Sequence, residues 1–208
     1  MGARILLLFF TLFYSFLATT EPARATDPEI TVLGEKDLVK VLHYYQNLKN
    51  LQVSFTQVKK MHGLDMNLTS SGILKVQKTP QKIIWEILKP APVRVTITDK
   101  EIKVVNDPGL PTEQTQTLKM DAMATGRTTN DSQNFASLTA WLDLDAKTLA
   151  RDYHVEKVSP SLYEFIPKEK GKTPFEKLDM TLHPPGPLEK LVIHELSKDE
   201  IEIHFGKP

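Results

Sequence analysis

Two-residue alternation of apolar and polar side chains recurs along most of this chain, and it leaves few folds open. In "LQVSFTQVKK", Leu51, Val53 and Phe55 alternate with Gln52, Ser54 and Thr56. "MNLTSSGILKVQK" follows a turn near His62-Gly63 and places Gly72, Leu74, Val76 and Lys78 on one face. After the break at Thr79-Pro80, Ile83, Trp85 and Ile87 alternate with Ile84, Glu86 and Leu88. "PVRVTITDKEIKVVNDPG" continues with Val93, Val95 and Ile97, turns at Asp99-Lys100, and resumes at Ile102 and Val104. A period of two marks half-buried strands, and short turns between successive strands make an antiparallel meander. A second set, "YHVEKVS", "LYEFIPK", "FEKLDMTLHP", "LEKLVIHEL" and "IEIHFGK", repeats the pattern towards the C-terminus.

Helical spacing appears in two places. Leu38, Val39, Val41, Leu42, Tyr45 and Leu48 recur at three- and four-residue steps, which predicts one amphipathic helix ahead of the first strands. Asp107 to Thr117 reads as loop from its Pro, Gly and Thr content. From Leu118 to Ala150 the spacing turns helical again, with Met120, Met123, Phe135, Leu138, Trp141, Leu142 and Leu144. The order helix, meander, helices, meander predicts an α+β domain, one large antiparallel sheet with helices against one face. Accumulated twist makes such a sheet curl.

The N-terminus reads as an export signal. Arg4 precedes the apolar run Ile5 to Ala18, and Ala23-Arg24-Ala25 supplies an A-x-A cleavage site, so residues 1–25 are expected to be a cleaved signal peptide and 26–208 the working domain. The apolar run is too short for the usual membrane span. There are no cysteines, which excludes disulfides and a thiol nucleophile and suits a bacterial periplasm better than a disulfide-stapled secreted scaffold. Removing residues 1–25 takes Arg4, Arg24 and Glu21 from 26 basic and 26 acidic residues, leaving 24 and 25, a formal net charge of −1 over 183 residues. That balance argues against nucleic acid as a partner.

Catalytic chemistry is not visible. The six histidines stand singly, and His194-Glu195 has no second histidine at helical spacing. Asp143 with Asp145, and Asp199 with Glu200, come without a histidine, a glycine-rich loop or an oxyanion-forming motif. No catalytic residue, metal site or cofactor is expected, and the chain reads as a binder rather than an enzyme. A sheet curled around its own apolar face either fills with side chains or leaves a cavity. The pattern alone leaves both open.

The ordered set of motifs resembles the periplasmic outer-membrane lipoprotein carrier family, LolA. After the N-terminal helix come Phe55-Thr56-Gln57, then Gly72 and Leu74 running into Lys78 and Pro80, then Trp85 and Pro90, then Thr98-Asp99, then Asn106 to Pro108. The family position matched by Lys78 is usually arginine, and Lys100 stands where the family turn has glycine. The resemblance implies an incomplete antiparallel β-barrel, a curled sheet with helices forming a lid over an apolar cavity. It implies lipid-binding walls from Phe55, Leu74, Val76, Ile83, Trp85, Ile87, Val93, Val95 and Ile97, with Met120, Met123 and Trp141 from the helices, and a lid contact at Lys78.

Its implied function is to bind acyl chains of lipoproteins and carry them, as a monomer, from an inner-membrane donor complex to an outer-membrane acceptor. The alternatives are a carrier of another lipid or lipid-linked product, or a domain that senses stray lipoproteins. A final expectation concerns "IEIHFGK". The chain stops at Pro208, where family members commonly continue, so this strand is expected to be a partly uncovered sheet edge open to a pairing partner.

Overall fold

The computed structural model describes residues 30–64, 66–119, 146–170, 173, 175–184 and 186–207. The expected signal peptide, and Met120, Met123 and Trp141 with the rest of the expected helical middle up to Asp145, lie outside the described residues. Among the described residues no helix is long and apolar enough to cross a membrane.

The first meander comprises β2 (Asn50–Lys60), β3 (Asn67–Lys78), β4 (Gln81–Lys89), β5 (Val93–Thr98), β6 (Glu101–Asn106) and β7 (Gln114–Lys119). The second comprises β8 (Tyr153–Lys157), β9 (Leu162–Pro167), β10 (Phe175–Leu182), β11 (Leu188–Glu195) and β12 (Glu200–Phe205). With β1 (Thr31–Leu33) they form one antiparallel sheet in the order β1-β8-β9-β10-β11-β12-β2-β3-β4-β5-β6-β7. The outermost strands, β1 and β7, are not paired with each other, so among the described residues the sheet is curled but not closed.

Two expectations are corrected here. The strand Glu200–Phe205 is not an edge. It lies between β11 and β2, with Ile203 opposite both Leu191 and Gln57. Its backbone groups are paired on both sides, and nothing is left for a partner strand. The physical reason is sheet closure order: the last strand joins the two meanders, which no local pattern announces. Likewise, part of the expected loop Asp107–Thr117 is strand. Gln114 to Thr117 belong to β7, which pairs along β6 from Asn106↔Gln114 to Glu101↔Lys119. "QTQT" has no apolar partner in its alternation because its side chains are exposed.

The expected N-terminal helix is two, α1 (Glu35–Val41) and α2 (His43–Gln46), broken at Leu42 (φ −94°, ψ 9°). The Tyr45 amide takes a three-residue bond to the Leu42 carbonyl at 3.0 Å, which tightens the second turn. Leu38, Val41, Leu42 and Tyr45 are buried, whereas Val39 is exposed. A third helix, α3 (Ala146–Asp152), buries Ala146 and Leu149 and packs on α1. Leu38, Leu42 and Leu149 share one core cluster with Val53, Leu74, Trp85, Phe165, Met180 and Ile203, so the helices sit on the apolar side of the sheet.

The other face is polar. Glu86 pairs with Arg94, Lys177 with Glu164 at 3.0 Å, and His194 with Asp179 at 2.8 Å.

Candidate functional site

Register carries the alternation of each strand into continuous apolar rows. One row runs Leu51, Val76, Ile83, Ile97, Ile102, and the next runs Val53, Leu74, Trp85, Val95, Val104. A third passes from Phe205 to Phe55, Gly72, Ile87 and Val93. Gly72 fills this row because no side chain fits there. A Cβ would stand 1.9 Å from the Glu86 carbonyl oxygen and 2.8 Å from the Phe55 ring. The β3–β4 register slips at the same point, between Ser71↔Lys89 and Gly72↔Ile87, a bulge that bends the sheet. Phe55 covers the glycine and rests against Trp85, ring centroids 4.3 Å apart and tilted by 35°.

From the other half, Met180, Leu191 and Ile203 continue the face across β10, β11 and β12. Where β2 starts and β3 ends, the two halves leave a cleft with a cavity volume of about 60 Å³. That is room for roughly four waters at ~10–15 Å³ each. The buried residues Val53, Leu74, Trp85 and Met180 form its floor. Leu51, Val76, Leu188, Leu191 and Phe205 form its walls, and Tyr45, Leu48, Lys49, Asn50, Lys78, Pro187 and Gly206 its upper rim.

Tyr45 joins both halves of the sheet across this rim. Its carbonyl accepts a hydrogen bond from Lys78 Nζ at 2.7 Å, and its hydroxyl oxygen accepts one from the Leu188 amide. Burial pushes the phenol up to about 12, against the opposing effect of the Leu188 bond, so the ring stays neutral at any physiological pH. Lys78 follows Leu74 and Val76 on the inward side of β3 and brings its ammonium to the rim.

The opposite end of the same face is polar. Lys59, two positions beyond Gln57 on the inward side of β2, contacts Glu195 at 2.8 Å and Asp199 at 3.2 Å. Burial alone would lower the Lys59 ammonium, but bonds to the two carboxylates outweigh it and raise it above the usual lysine value. Asp199 also accepts the His62 amide at 2.8 Å, the main reason its carboxyl is held below the ordinary range.

Of the residues singled out from sequence, Leu74, Val76, Trp85 and Lys78 line the cleft. Phe55, Ile83, Val95 and Ile97 are buried in the adjoining core, and Ile87 and Val93 pack half-buried against it. Tyr45, Met180, Pro187, Leu188, Leu191 and Phe205 line the cleft too, without having stood out in the sequence. Alternation around Met180 and Leu191 signalled strands facing inward, but which strands they would meet depends on the long-range β12–β2 pairing. Among the described residues no group of three or more His, Asp or Glu side chains is placed to hold a metal.

The family model described as outer membrane lipoprotein carrier protein LolA matches residues 46–208. No curated protein matches the chain. Similar solved structures include a LolA superfamily protein from Nitrosomonas europaea, 11% identical with a TM-score of 0.43, covering 84% of this chain and 92% of that one. Another is a lipoprotein from Mycobacterium tuberculosis, 13% identical with a TM-score of 0.40, covering 83% of this chain and 93% of that one.

Proposed function

The chain belongs to the LolA family of outer membrane lipoprotein carrier proteins, and from that premise we propose that it shelters the acyl chains of lipoproteins in the cleft beside Tyr45 and carries them through the periplasm. In this reading residues 1–25 are removed on export and residues 26–208 travel as a monomer from an inner-membrane donor complex to an outer-membrane acceptor. Members of the family act as carriers rather than enzymes, and no catalytic step is invoked.

The observation that carries the reading is the cleft itself. Apolar walls from both meanders converge on it, and its rim is tied by two hydrogen bonds to one residue, Tyr45. The cavity volume is about 60 Å³, and in this reading the rim parts to widen it on loading. In this reading α2, which carries Tyr45 and lies outside the strand ladder, serves as the lid. Two net hydrogen bonds are worth roughly 1 kcal/mol each, with the charged one somewhat more. Each methylene removed from water returns about 0.8 kcal/mol, so a few methylenes offset the opening. Lys78 would then act as the latch, holding the Tyr45 carbonyl when the cleft is empty.

Trp85 provides the test. Adding an acylated lipoprotein peptide to the protein should shift tryptophan emission, and Trp85→Phe should remove most of the shift while Trp141 is kept. A shift of unchanged size in Trp85→Phe would place the chain elsewhere.

A further inference from the structure

The rim of the cleft differs in charge from the rest of the sheet. Among the described residues two lysines line it, Lys49 and Lys78, and no aspartate or glutamate does. They are neighbours: the Lys78 amide donates to the Lys49 carbonyl at 3.0 Å. Lys49 is exposed and Lys78 is half-buried. Two half-buried lysines elsewhere on the sheet are matched by carboxylates, Lys59 by Glu195 and Asp199, and Lys177 by Glu164 and Asp179, whereas half-buried Lys82 and Lys157 lie away from the cleft. Lys78 has no such partner among the described residues. Its ammonium donates to a neutral carbonyl only, one bond from three available hydrogens. A cation held against apolar surface wants a counter-ion, and none of the described residues supplies one here.

We propose that the cleft favours acyl lipids that carry an anion, a carboxylate or a phosphate, beside the acyl chain. The chain lies over Trp85, Leu74 and Met180, and the anion sits between the Lys49 and Lys78 ammonium groups. Compact, rotatable ammonium donors suit either headgroup, since neither demands the planar fork of arginine. The assignment rests on the reading that the cleft binds acyl chains, but not on the cargo being a lipoprotein.

The experiment titrates the protein with laurate, lauroyl-glycerol phosphate, uncharged monolauroylglycerol and inorganic phosphate, following Trp85 emission at neutral pH. Both anionic lipids should bind at least about tenfold more tightly than the neutral ester, the ratio expected for one charge-assisted bond. The preference should shrink as salt is added. It should fall in Lys49→Gln, an exposed position that leaves the core untouched, vanish in the Lys49→Gln/Lys78→Gln double variant, and persist in Lys78→Arg. Laurate against lauroyl-glycerol phosphate tells which headgroup is favoured. Equal affinity for the neutral ester, or a preference that survives in the double variant, overturns the proposal, as does competition by inorganic phosphate alone at matching concentration. Binding of none of the three lipids overturns the acyl-binding reading beneath it, a result distinct from binding without charge preference.

Discussion

Strand β2 presents one inward face to two ends that are built differently. At its start, Leu51 and Val53 face a cleft whose rim is a helix-to-strand segment tied through Tyr45. At its finish, Lys59 is clamped by Glu195 and Asp199. The clamp joins residues in or beside β2, β11 and β12, strands already held side by side by backbone ladders. Moving these strands apart would mean unzipping the sheet, whether or not the clamp is present. Both bonds at the rim of the other end involve Tyr45, which lies in α2 and outside any ladder, so breaking them leaves every strand pair intact. Two ends of one face are thus held differently, and under the proposed function the apolar end is the one that admits a guest.

The largest effect should come from breaking what both ends share. Gly72→Ala pushes a Cβ into the Glu86 carbonyl and the Phe55 ring, so denaturant unfolding should show a loss of about 3 kcal/mol. Amide exchange should rise at both ends together. A rise confined to one end would mean that the two do not rest on a common floor.

A smaller and local effect is expected at the rim. Tyr45→Phe keeps the ring and removes the acceptor for the Leu188 amide. The loss should be about 1 kcal/mol, read as faster exchange at Leu188 and quicker lipid uptake, with little change in exchange around Lys59. Equal loosening at both ends would erase the distinction drawn above.

Lys59→Met should cost less still, about 0.5 kcal/mol, because the side chain is partly exposed and screened. Lipid uptake should be unchanged. The raised lysine contributes stability below its unfolded value of 10.5 and loses it as pH rises through the higher folded value. Wild type and Lys59→Met should therefore converge in alkali.

The smallest effect belongs to Asp199→Asn. The aspartate is depressed in the fold, so its contribution is present above the unfolded value of 3.8 and lost as pH falls through the lower folded value. Thermal melts of the two proteins should differ slightly near neutrality and coincide in acid. A gap that widened in acid would reverse the sign assigned to this group.

What the sequence made legible was local. Val53, Leu74, Trp85 and Val95 announced their shared face by alternation, and short turns fixed their register. Lys78 stood out as a cation on that face, but its acceptor, a backbone carbonyl at Tyr45, carries no side-chain signature. The second wall of the cleft was hidden for a topological reason. Met180 and Leu191 reach Trp85 only because β12 inserts beside β2, a pairing such as His204↔Thr56 between residues far apart in sequence. The same insertion is why the C-terminal strand, read as an edge, is interior. Strand β7 escaped because Gln114 to Thr117 are polar on both faces and only backbone pairing defines them.

Which end of the face opens is settled by cross-linking. The chain has no cysteine, so paired cysteines can be placed without interference. One variant carries Leu48→Cys and Leu188→Cys across the Tyr45 rim, and a second carries His62→Cys and Asp199→Cys at the charged end. Uptake of a fluorescent fatty acid is measured before joining each pair with a short cleavable cross-linker, after joining, and after cleavage. Uptake should be lost on joining the rim pair and recovered on cleavage, while joining the charged-end pair leaves it unchanged. Undiminished uptake with the rim joined, or loss on joining the charged end, would contradict the account.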